Sequence, residues 1–228
     1  MNRVLFARHG QTDYNVEQRL QGWLDVPLNE NGECQAGLLA RRLSTFSIDA
    51  IYTSDLQRTL GTARVIADLH QPPLNPITMP GLREFNYGHW NGLTFLEIEE
   101  RYPKEVAAWR GNIRDVGLPE GESIARFSQR VQKTLREILT RHNQHTLLIV
   151  THGGVIRVLL CAALGLPPED YAKFSSESTS LTEICYNQSS ARLSTINDTA
   201  HLQDWPYETC PHGSLQKSLL SGIKKEII

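Results

Sequence analysis

Nowhere in the 228 residues does an apolar run approach the roughly 18–20 residues a membrane span requires, so no transmembrane helix is expected. Excess charge is also lacking. The 23 Lys and Arg against 25 Asp and Glu leave a formal net charge of −2, which gives no reason to expect nucleic acid or an anionic membrane as a partner. Any anion binding must come from a local cluster. Cysteine is sparse, at 34, 161, 185 and 210, with neither C-x-x-C spacing nor the ligand grammar of a zinc site. Cys34, Cys161 and Cys185 fall in apolar-periodic segments and are expected as buried thiols in a reducing cytoplasm. There is no internal repeat or low-complexity tract. Met1-Asn2-Arg3-Val4 runs straight into a strand-like segment, leaving no room for a signal peptide. What is present, 40% hydrophobic and 21% charged residues, is the composition of a globular chain able to bury one core, or a core plus a small cap.

Strand-length apolar runs alternate with helical periodicity. Val4–Ala7 and Ala50–Thr53 read as strands, Ile77–Met79 as a third, and Thr146–Val150 as a buried one. Asn29 is placed to cap a helix over Glu30–Leu43, and Ser54 or Asp55 to cap another running to Leu69, before Pro72-Pro73. Ser123 opens an amphipathic helix to Arg141, with Ile124, Phe127, Val131, Leu135 and Ile138 on its inner face. A helix over Val155–Leu164 and a closing hairpin near Leu181–Tyr186 and Ala191–Ile196 follow. Such alternation predicts one α/β domain over 1–228 with a mostly parallel sheet covered on both faces. From about 85 to 122 the pattern changes to a Gly- and Trp-containing stretch broken by Pro103, which reads as an inserted helical cap. A tail from about 203 to 228 carries an apolar stripe, Leu215, Leu219, Leu220, Ile223 and Ile227, fit to pack on the domain or at a homodimer contact.

Two apolar strands each end in His-Gly, at Arg8-His9-Gly10 and at Thr151-His152-Gly153-Gly154. In an open parallel sheet ligands sit outside the carboxyl ends of strands. Arg58 should fall there in the first turn of the helix after the second strand, and Glu84 after the third. Two histidines and a carboxylate suit a metal, but two fixed guanidinium cations would repel a divalent ion and would both favour a phosphate dianion. No metal and no other cofactor is therefore expected. The residues imply in-line attack on phosphorus by a neutral His9. Arg8, Arg58 and a protonated His152 would offset charge on the equatorial oxygens, with Glu84 as acid and then base. Glu97, Glu99 and Glu100 are competing acids within the cap.

Leu5-Phe6-Ala7-Arg8-His9-Gly10-Gln11-Thr12, with Asn15 and Gln21-Gly22, resembles the R-H-G-x-T motif of the histidine phosphatases and cofactor-dependent phosphoglycerate mutases. The likeness continues through Ser54-Asp55-Leu56-Gln57-Arg58-Thr59, Leu82-Arg83-Glu84 with Gly88 and Trp90, Gly121-Glu122-Ser123, and Thr151-His152-Gly153-Gly154, spanning about residues 3 to 200. The resemblance implies a phosphoglycerate mutase-like three-layer α/β/α sandwich with a variable cap and no metal requirement. It makes His9 the phosphorylated residue and Glu84 the proton donor. Arg8, Arg58 and His152 become the phosphate pocket, with Asn15 and Gln21 at its rim. Gly22 and the backbone at Gly153 fall beside these groups. Tyr87, from the cap, and His201, from an Asn197-Asp198-Thr199-Ala200-His201-Leu202 segment similar to one in some bacterial members, are candidates for the pocket mouth.

The mutases of this family carry an Arg after the catalytic Glu and an Arg-Arg pair further on. Here Phe85 follows Glu84, and the comparable stretch reads Trp109-Arg110-Gly111-Asn112. Fewer cations should fail to retain a bisphosphorylated intermediate, so hydrolysis is expected to win. The expectation is a cytoplasmic, metal-independent phosphomonoesterase acting on a small phosphorylated metabolite. Alternatives are a phosphoglycerate mutase and a protein-directed phosphatase or signalling module of the same fold. His70, His89, His142, His145 and His212 lack partners in the sequence pattern and are read as surface residues.

Overall fold

A computed structural model describes residues 1–187 and 190–203. The tail stripe from Leu215 to Ile227, Cys210 and His212 lie outside them. Six strands form one mixed sheet: β1 (Asn2–Arg8), β2 (Ala50–Thr53), β3 (Ile77–Thr78), β4 (Thr146–Thr151), β5 (Leu181–Tyr186) and β6 (Ala191–Asp198), in the order β3-β2-β4-β1-β5-β6. The first four are parallel, and β5 and β6 continue the sheet antiparallel. The helices are α1 (Asp13–Val16), α2 (Glu30–Leu43), α3 (Gln57–Asp68), α4 (Phe95–Arg101), α5 (Pro103–Gly111), α6 (Ile124–Thr140) and α7 (Gly153–Ala163). None is long and apolar enough to cross a membrane.

Strand alternation divides the core in two. Leu5 and Ala7 of β1 and Leu148 and Val150 of β4 pack with Leu39 and Leu43 of α2 and Ala63 and Ile66 of α3. Val4, Phe6, Leu147 and Ile149 face the other way, onto Phe127 and Val131 of α6 and Val155 and Leu159 of α7. Central parallel strands buried on both faces read as unbroken apolar runs, which is why β1 and β4 stood out in the sequence. The α/β sandwich expectation holds, and Asn29 caps α2 by accepting from the Gly32 N–H.

Several local expectations are corrected. Neither Ser54 nor Asp55 caps α3; its N-cap is Leu56, which makes no side-chain cap bond. The Ser54 hydroxyl lies instead 2.9 Å from His152 Nε2, and the Asp55 carboxylate pairs with Arg83. His70 is buried, with Nδ1 on the Ile66 carbonyl. His142 and His145 meet through their Nδ1 atoms at 2.8 Å, and His142 Nε2 lies 2.8 Å from the Tyr52 hydroxyl. Cys161 and Cys185 are buried free thiols, whereas Cys34 is half-buried and not a free thiol.

Candidate active site

The register of the two central strands builds the site. β1 and β4 run in parallel with Arg8 opposite Thr151, so His9 and His152 leave the sheet at the same height. His9 N–H donates to the Thr151 carbonyl at 2.9 Å, and the two imidazole rings stand 5.3 Å apart, edge to face. His9 Nδ1 lies 2.7 Å from the Gly10 carbonyl, an acceptor, so Nδ1 holds the proton and Nε2 keeps its lone pair. Burial, then the cations of Arg58 and Arg8, hold the His9 pKa well below its ordinary value. His9 is therefore neutral, with its second nitrogen free to attack.

Around His9 opens a pocket of about 420 Å³ lined by Arg8, Arg58, Glu84, Asn15, Gln21, Gly22, Tyr87 and Gly153. Of the residues singled out in the sequence, two are not in its lining. His152 lies fully buried against His9, and His201 lies behind the wall. Arg58 is wholly buried and donates to the carbonyls of Gly22 and Leu24, both at 2.7 Å, which shapes the loop before α2. Burial brings its pKa down to about 10, so it stays cationic at neutral pH. Arg8 donates to the Ser176 carbonyl. The buried atoms Arg8 Nε, Arg58 Nε and His152 Nδ1 have no hydrogen-bond partner among the described residues. Buried donors without partners are costly in a folded protein unless a ligand completes them.

His152 differs from the expected cation. Burial first, then Arg58, His9 and Arg8, push its pKa well below the ordinary value, so it is neutral here. His152 Nε2 lies 2.9 Å from the Ser54 hydroxyl, which also lies 2.6 Å from Thr59 Oγ1.

Glu84 is held by its backbone and its carboxylate. Oε1 accepts from Phe85 N–H at 2.9 Å and Oε2 from Gly154 N–H, in the first turn of α7, at 3.0 Å. A Cβ on Gly154 would come within 2.1 Å of Glu84 Oε1, so only glycine lets the carboxylate lie there. The Glu84 carbonyl accepts from the Trp23 indole N–H and from Arg130. Arg130 also donates to the carbonyls of Gly81 and Arg83 and is ion-paired to Glu122 at 2.7 Å. Sequence reading missed Arg130, although its place beside Phe127 and Val131 on the buried side of α6 was a signal. Glu122, named in the sequence only within the Gly121-Glu122-Ser123 segment, anchors this arginine.

The 85–122 segment contributes less than its length suggested. Within it only Tyr87 lines the pocket. The facing wall comes from Ala172, Phe174, Ser175, Ser176 and Glu177, which no sequence motif marked, and from Arg157 one helical turn beyond Gly153. His201 stands behind this wall, its Nε2 3.1 Å from Thr179 Oγ1 and its Nδ1 3.4 Å from Arg42, which forms a bidentate pair with Asp198.

Two arginines, two neutral histidines and a carboxylate at the carboxyl ends of parallel strands define an enzyme acting on phosphate esters. Residues 4–199 match the histidine phosphatase superfamily (branch 1), and the chain belongs to that superfamily. It is similar to phosphoserine phosphatase 1 of Hydrogenobacter thermophilus, with 33% identity over 208 residues, covering 91% of this chain and 98% of that one. It is 39% identical to phosphoglycerate mutase-like protein 4 of Arabidopsis thaliana over 158 residues, 68% of each chain. Among solved structures, the alpha-ribazole phosphatase from Shigella flexneri superposes with a TM-score of 0.79 at 29% identity, covering 86% of this chain and 96% of that one.

Proposed function

We propose that the protein is a metal-independent phosphomonoesterase that hydrolyses a small phosphorylated metabolite through a phosphohistidine at His9. The observation carrying this reading is the convergence on one pocket of a neutral, oriented His9 with the buried Nε donors of Arg8 and Arg58, which have no hydrogen-bond partner among the described residues. Nε2 of His9 forms the N–P bond as the ester P–O bond breaks, and Glu84 gives its proton to the departing oxygen. Water then attacks phosphorus as the N–P bond breaks, and Glu84 takes a proton from that water. Arg8 and Arg58 offset the charge on the transferring group. A bound dianion favours the charged form of His152, so protonation of that ring accompanies phosphate binding. The same arginines oppose a divalent cation beside the histidines. A pocket of about 420 Å³ suits a small ligand.

The test is phosphate release from a panel of phosphomonoesters in EDTA, with His9→Ala as control. Release that persists in EDTA and disappears in the variant supports the reading; dependence on added metal overturns it. Including 3-phosphoglycerate with a separate readout for 2-phosphoglycerate tests the mutase alternative, since faster isomerisation than hydrolysis would favour it.

A further inference from the structure

Two opposite charges line the pocket outside any ion pair among the described residues, and the mechanism uses neither. Arg157, half-buried on α7, is fixed by its Nε–H on the Gly153 carbonyl at 3.2 Å and by its guanidinium over the Tyr171 ring, 5.1 Å from the centroid. Glu177, exposed on the same wall, is held by its backbone N–H on Asn197 Oδ1 at 2.7 Å. Among the described residues neither side chain is in an ion pair. The other rim cation, Arg19, is already paired with Glu17 and Glu97 at 2.8 and 2.7 Å. Both Arg157 and Glu177 line the same pocket as Arg8.

We infer that Arg157 and Glu177 are a specificity pair for a dipolar substrate, a phosphomonoester that also carries a carboxylate and an ammonium group, as a phosphorylated amino acid does. This rests on the phosphatase reading above. A guanidinium held by a carbonyl and an aromatic face keeps its terminal N–H groups for a planar carboxylate. Glu177 complements an ammonium on the same substrate carbon. The pair also selects against a second phosphate dianion, which would meet one cation and one like charge. That distinguishes this pocket from one built to retain a bisphosphate.

The experiment compares kcat/KM for four monoesters chosen for which of these groups they carry: O-phosphoserine (both), 3-phosphoglycerate (carboxylate only), phosphoethanolamine (ammonium only) and glycerol 3-phosphate (neither), with p-nitrophenyl phosphate as reference. Wild type should prefer O-phosphoserine at least fivefold over each of the other three. In Arg157→Met the O-phosphoserine to phosphoethanolamine ratio should fall at least fivefold, and in Glu177→Gln so should the O-phosphoserine to 3-phosphoglycerate ratio. Each ratio is internal to one protein, so a partly folded variant does not obscure it. Any smaller preference in wild type, or any smaller change in either ratio, overturns the inference. If p-nitrophenyl phosphate is still hydrolysed in a His9-dependent way, that failure leaves the phosphatase reading standing. No His9-dependent release from any monoester overturns both.

Discussion

His201 reaches Thr179 across the back of the pocket wall, Nε2 to Oγ1 at 3.1 Å. Thr179 in turn donates its backbone N–H to the His9 carbonyl at 3.3 Å and sits at φ 56°, an unfavourable region for a β-branched residue. With the Thr179 hydroxyl on the Ser178 carbonyl, His201 donates through Nε2 and accepts from Arg42 at Nδ1. His201 therefore holds the segment that carries Ser176 and Glu177, without touching substrate. His201→Ala should cost about 1–2 kcal/mol of stability and lower kcat several-fold, measured by urea unfolding and steady-state kinetics. His201→Gln keeps a donor and should recover most of both. Equal losses in the two variants would contradict this arrangement.

Burial, then Arg42, lowers the His201 pKa to about 4. A histidine whose folded pKa lies below its unfolded value binds more protons when unfolded, so its contribution to stability rises with pH from about 4 to the ordinary value near 6.5. Depressed values at His9 and His152 act in the same direction. Stability should therefore decline as pH falls through this window, and less steeply in His201→Gln. Asp198, lowered to about 2 mainly by Arg42, loses its contribution only in more acid solution. Unfolding midpoints between pH 4 and 7 would test the difference in slope.

The acidic limb of the rate profile should lie well below pH 6.5, because burial, Arg58 and Arg8 keep His9 deprotonated. Arg58→Met removes one of those cations and should move the limb toward higher pH while lowering kcat/KM. A limb at or above 6.5 in the wild type would count against His9 as the neutral nucleophile.

Gly154→Ala adds a methyl group where Glu84 Oε1 would be 2.1 Å away. The carboxylate must leave the Gly154 N–H, and kcat should drop by about 10²-fold, the scale lost when a general acid is displaced. The added carbon is otherwise compatible with a helix, so the far-ultraviolet spectrum should be retained. Unchanged kcat would show that Glu84 does not act from this position.

Arg130→Met removes a donor from the carbonyls of Gly81, Arg83 and Glu84 and leaves Glu122, 15% exposed, without its ion-pair partner and with the Asn86 N–H on Oε2. A loss of about 2–3 kcal/mol follows from an uncompensated, largely buried carboxylate. In the double variant with Glu122→Gln part of that loss should return, as a double-mutant cycle in denaturant would report.

The sequence made the centre of this molecule legible and its periphery much less so. β1 and β4 were visible because central parallel strands are apolar throughout, and His9 and His152 because each follows such a strand. The capping signal at Asn29 was local and held. At Ser54 the same kind of signal misled, because the hydroxyl faces His152, a residue 98 positions away. The pocket's second wall was invisible for a related reason. Ser176 and Glu177 gain their place through Arg8, Asn197 and the β5–β6 hairpin, contacts with no sequence periodicity. The lowered pKa of His152 in the absence of phosphate was not readable in the sequence, because it depends on how deeply the folded chain buries the ring beside two arginines.

The Arg8–Thr151 register has one more consequence. β1 is flanked by β4 and β5 in the middle of the sheet, and the His9 amide is bonded to β4. Separating His9 from His152 would require opening the most interior ladder of the protein. Hydrogen exchange at the His9 amide should consequently occur only on global unfolding, in step with the β4 core. Variation that spares this ladder is then free to remodel the opposite wall, and with it the choice of ester, while the spacing between nucleophile and partner histidine persists for as long as the chain stays folded.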